Sequence, residues 1–92
     1  MIDLAHAINA LSSSHPFVVE EAIAFLLVRR ADAVPALIAA LSAGTSAIPA
    51  ANLLGRLRAV EAMPALVVAE RDGGPGLRWE AAQALALIRG EP

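Results

Sequence analysis

Val34-Pro35-Ala36-Leu37 recurs as Met63-Pro64-Ala65-Leu66 at a spacing of 29 residues, and Ile8-Asn9-Ala10-Leu11-Ser12 returns as Ile38-Ala39-Ala40-Leu41-Ser42 at a spacing of 30. A period of that length marks a chain built from one small unit used repeatedly, each unit burying its apolar face against the next. A second kind of segment alternates with the first. It reads Ala22-Ile23-Ala24-Phe25-Leu26-Leu27, then Ala50-Ala51-Asn52-Leu53-Leu54-Gly55-Arg56-Leu57, then Ala81-Ala82-Gln83-Ala84-Leu85-Ala86-Leu87-Ile88. This alternation fills the 92 residues and leaves no room for a separate catalytic unit, so residues 1–92 are read as a single domain.

The segments are helical. The chain is 58% hydrophobic but only 3% aromatic, and 22 of its residues are alanine, so its interior is made of small side chains that demand close packing. Alanine is the best helix former, Tyr is absent and β-branched residues are scattered, which argues against a sheet. Within the segments apolar residues fall at i, i+3, i+4 and i+7, as in Leu77, Ala81, Ala84, Leu85 and Ile88. The expected fold is all-α, with six helices over about Ile2–Ser12, Pro16–Arg30, Ala33–Ala43, Ser46–Arg58, Val60–Arg71 and Gly76–Arg89.

The breaks are chemically sensible. Ser13 or Ser14 can cap the helix that starts at Pro16, and Asp32 can cap the third. Pro35 and Pro64 then fall in first turns, where a missing N–H costs nothing because no intrahelical acceptor faces it. Asp72-Gly73-Gly74-Pro75-Gly76 precedes a helix but lacks the glycine spacing and Lys-Ser/Thr of a phosphate loop, and is read as a turn.

These residues also resemble a known family. The first-type helix Leu77-Arg78-Trp79-Glu80-Ala81-Ala82-Gln83-Ala84-Leu85 is similar to the V-R-x-x-A-A-x-A-L pattern of short HEAT repeats of the kind described in phycobilin lyases. Ala33-Val34-Pro35-Ala36-Leu37 and Ala62-Met63-Pro64-Ala65-Leu66 are similar to the A-V-P-A-L pattern of its second helix. The resemblance implies a short α-solenoid, an alpha-alpha superhelix of roughly three HEAT-like pairs, and a scaffold or adaptor role. It supplies no lyase motif.

In that family the second-type helices line a concave surface, and the position two after the leucine is usually polar and outward. Here it is Ala39 and Val68, with Asn9 at the matching place in the first helix. Helix types run second, first, second, first, second, first, so each end is a half repeat, and the last helix carries a further apolar stripe of Trp79, Ala82 and Ala86 beside Arg78. Stacked units need polar outer faces to remain separate molecules. Asn9, Ala39, Val68, Arg78, Trp79, Ala82 and Ala86 are therefore the candidate partner-binding residues. Trp with Arg is a frequent anchor pairing at interfaces, and a mean hydropathy of +0.62 leaves a small domain few places to hide apolar area.

Other chemistries find little support. His6 and His15 stand at no metal-ligand spacing with an acid. Glu20-Glu21 lies in the early turns of a helix, where the dipole favours negative charge, and adjacent helix positions do not face each other as a catalytic pair would. Arg29, Arg30, Arg56, Arg58, Arg71 and Arg89 fall in last turns, favoured by the opposite pole. A net charge of −2, with 7 basic and 9 acidic residues, gives no positive field for nucleic acid. Ala33–Gly55 is uncharged for 23 residues, but Pro35, Gly44, Thr45, Ser46, Pro49 and Asn52 interrupt it as a membrane span. No export signal is seen at the N-terminus, and the absence of cysteine fits the cytoplasm.

The sequence thus leads to a non-catalytic cytoplasmic interaction module that uses no cofactor or metal. It binds another protein or a second copy of itself, and neither nucleic acid nor membrane. The alternative is an accessory chaperone or lyase-type subunit acting on a cofactor-bearing protein, or a small immunity or antitoxin-like inhibitor. A piece of a longer repeat protein would read the same way.

Overall fold

A computed structural model describes residues 3–90. The described residues form α1 (Leu4–Ala10), α2 (Pro16–Val28), α3 (Arg30–Ala43), α4 (Ala47–Arg56), a 3-10 turn (Val60–Ala62), α5 (Met63–Asp72) and α6 (Pro75–Arg89), with no strand among them. The fold is all-α, with helices close to the expected ranges; Ile2, the expected first helical residue, lies outside the described residues.

Asp3 starts α1, its carboxylate accepting the His6 backbone N–H at 2.8 Å. Neither Ser13 nor Ser14 caps α2. His15 holds that position, and the Ser13 hydroxyl instead accepts the His15 backbone N–H at 3.1 Å. The third helix begins earlier than expected, because Arg29 (φ −110°, ψ 44°) is the single non-helical residue between α2 and α3. Asp32 is consequently inside its first turn and Pro35 is in the helix interior, with no N–H to offer the Ala31 carbonyl. Pro64 stands in the first turn of α5, as its sequence context requires. α3 ends at Gly44, whose φ of 80° allows the Thr45 N–H to close on the Ala40 carbonyl at 3.0 Å.

Consecutive helices pair as α1–α2, α3–α4 and α5–α6, while α3 also lies against α1 and α5, and α4 against α6. The main contacts of α2 are with α1 and α3. The core has two kinds of side chain. Leu26, Leu37, Leu53, Leu54, Leu66 and Leu85 supply its volume, and alanines such as Ala22, Ala50, Ala51 and Ala81 let the backbones approach. Burying a leucine stabilises by roughly 1.5–3 kcal/mol, so those six are large single contributors to the hydrophobic term. Among the described residues every buried side chain is apolar.

At Gly55, α4 and α6 approach to backbone distance. A methyl group on Gly55 would stand 2.7 Å from the Ala84 Cα. Asn52 of α4 donates to Glu80 Oε1 of α6 at 2.8 Å, and the Arg58 guanidinium donates to the Leu87 carbonyl. The uncharged stretch Ala33–Gly55 is divided between α3 and α4 by Gly44-Thr45-Ser46, and no described helix is long and apolar enough to cross a membrane.

Candidate interaction faces

Asn9, Ala39 and Val68 are carried by α1, α3 and α5, and all three are exposed. They do not share one depression. Asn9 and Ala39 line a groove of about 440 Å³ between α1 and α3, floored by Ile8 and Ala40. Val68 lines a second groove of about 290 Å³ with Leu41, Ala65, Ala69 and Leu77. The polar groups at these grooves are few: Asn9 and Thr45 in the first, Ser42 and Asp72 in the second.

The other four candidates ride on α6. Arg78 is exposed, Trp79 is 64% exposed, and Ala82 and Ala86 are half-buried. Their environment is understood by comparison with α4, matched to α6 through the shared Ala-Leu pattern. Ala50 and Leu54 of α4 and Ala81 and Leu85 of α6 are all buried. Ala51 and Gly55, which α6 covers, are buried as well. Their counterparts Ala82 and Ala86 retain solvent access, because no described element lies on that flank of α6.

One apolar surface was not singled out from the sequence. On α2, Phe17 is 71% and Val28 81% exposed, with Val18 and Leu27 also open. The signal was present: Pro16–Val28 holds only Glu20 and Glu21 among apolar residues, so no arrangement of that helix hides all of them. Arg29 folds back over this surface, its guanidinium 3.8 Å from the Phe25 ring centroid and donating to the Phe25 carbonyl at 3.3 Å.

The charged residues are dispersed. Glu20 and Glu21 lie in the second turn of α2, beyond the reach of its positive end. Arg30 opens α3 rather than closing α2, an unfavourable pole for a cation. It is compensated by Glu61 at 3.6 Å and by the Leu57 carbonyl at 3.4 Å. Arg58 lies past the end of α4 at φ 50°. Arg56, Arg71 and Arg89 do sit in last turns. Arg71 pairs with Asp72 at 3.0 Å and holds that carboxyl below the usual range. Glu61 is likewise lowered, first by a backbone N–H and then by Arg30. No group of three or more His, Asp or Glu among the described residues is placed to hold a metal.

The arrangement offers apolar contact area at shallow, open surfaces, with isolated polar groups at their edges. No protein-family model, curated protein or solved structure matches the chain.

Proposed function

We propose that this chain is a non-catalytic protein-interaction module, a short HEAT-like stack of helix pairs whose open flanks dock onto another protein chain. One observation carries the reading. The α4 flank of Ala51 and Gly55, buried under α6, has a matching flank on α6 itself, Ala82 and Ala86, which stays half-open beside the exposed Trp79. A face patterned for helix packing but lacking a cover is an interaction surface. The stacked reading draws support from the contact order, in which α3 lies between α1 and α5 and each helix packs mainly on near neighbours in sequence. The row Asn9, Ala39 and Val68 on α1, α3 and α5 then provides a second, shallower contact face.

Light scattering across a hundredfold concentration range, with an apolar fluorescent dye added in parallel, tests this. Self-association, or dye binding by the monomer, that Trp79→Lys or Val68→Glu removes while helicity is retained supports the reading. A monomer that binds no dye at any concentration overturns it.

A further inference from the structure

The joint between α4 and α6 has two halves, and the sequence repeats each half on a flank that the joint does not use. The α4 half consists of Ala51, Asn52 and Gly55, and the α6 half of Glu80, Ala84 and Leu87. The first-type helices align on their buried Ala-Leu pairs, Ala22 with Leu26, Ala50 with Leu54 and Ala81 with Leu85. That alignment carries the α4 half onto Ala82, Gln83 and Ala86 of α6. It carries the α6 half onto Glu21, Phe25 and Val28 of α2. Gln83 is thus an amide donor where Asn52 is one, and Glu21 a carboxylate where Glu80 is one. Both are exposed, as is Val28.

On these matched positions, and resting on the interaction reading above, we propose that the cover of α6 is α2 of a second copy of this chain, docked head to tail. The Gln83 amide donates to the Glu21 carboxylate across the joint, as Asn52 does to Glu80 within one chain. Trp79 stands where α4 has Ile48, which lies against Gly76, so it meets the exposed Phe17, the match of Gly76, while Ala86, the match of Gly55, meets Phe25 and Val28. Phe25 stands where the internal joint has Ala84, so the helices are held further apart than α4 and α6. Arg58 reaches the Leu87 carbonyl from a positive-φ residue, whereas its match Arg89 is still helical, so that bond is not reproduced. Because the two docking patches differ, the contact is heterologous and adds copies past two, into a ring or an open filament, unlike a symmetric dimer.

Two variants at exposed sites separate the flanks: Trp79→Asp disables α6 and Val28→Asp disables α2. By light scattering the native chain should rise in mass past two copies with concentration, and each variant should remain a monomer. An equimolar mixture of the two should stop at a twofold mass, each supplying the flank the other has lost. Circular dichroism checks that both variants stay helical. A native chain that stops at a dimer, or association abolished by Trp79→Asp and untouched by Val28→Asp, overturns head-to-tail docking while leaving an interaction module. A native monomer that binds the apolar dye does the same. A native monomer that binds no dye overturns both readings.

Discussion

Gly55 is where a single hydrogen atom decides the spacing of two helices. A Cβ there would meet the Ala84 Cα at 2.7 Å and its Cβ at 2.9 Å, and backbone cannot rotate away as a side chain can. Gly55→Ala should therefore destabilise the fold by roughly 1–3 kcal/mol despite alanine's better helix propensity, as overpacking does. Gly74→Ala, which meets nothing within 4 Å, is the steric control and should lose no more than the cost of an alanine at the α6 N-cap, at most about 1 kcal/mol in the same urea titration. Titration behaviour also belongs at this scale. Glu61 and Asp72 have lowered pKa values in the fold, so what they contribute is present at neutral pH and is lost as the pH falls through those lowered values. Both are exposed, so the loss should be slight. The urea midpoint should fall on acidification from about pH 5 to pH 2, by less in Glu61→Gln, consistent with this linkage.

Among the elements, α4 and α6 hold each other most firmly. They meet at backbone distance at Gly55 and are bridged by Asn52 to Glu80 and Arg58 to Leu87. By contrast α2 rests mainly on α1 and α3, with no hydrogen bond bridging it to α4, and leaves Phe17 and Val28 in solvent. Opening free energy follows local contact and burial. Amide hydrogen exchange should accordingly be slowest in the middle of α4 and α6 and clearly faster in α2. Equal protection in α2 would mean that it gains a partner in solution, which the concentration dependence of its exchange would reveal.

At the scale of the molecule, a chain of this size has little stability to lose, because small domains bury a smaller share of their surface. Its volume-filling core is a handful of leucines set among alanines. Leu85→Ala, at a position with no solvent exposure, should cost roughly 2–5 kcal/mol, a large part of a typical total. Trp79→Lys, on an exposed flank, should change the unfolding midpoint by less than about 0.5 kcal/mol equivalent in the monomer. The contrast between those two measurements separates the packed from the docking apolar surface.

Six helices, their approximate limits and the buried stripe of α6 were readable from the chain, because the 3.6-residue period and the Gly and Pro breaks act over a few neighbouring residues, whereas α2, apolar on every side, gave no such stripe. The matching of Ala50-Leu54 with Ala81-Leu85 was readable too, and it marked the outer stripe of α6. Tertiary structure alone decided the rest. Ser46 and Arg58 take positive φ with no local signature, since their strain is offset by contacts far along the chain, Ser12 for one and Leu87 for the other. α3 starts at Arg30, whose guanidinium meets Glu61 and the Leu57 carbonyl, partners about thirty residues away that no local signal announces. The same holds for the candidate faces: period predicts which side of a helix is apolar, but only packing decides which apolar side is left uncovered. On that account the exposure of Trp79 lay within reach of the sequence, whereas the separation of Ala39 and Val68 into different grooves did not.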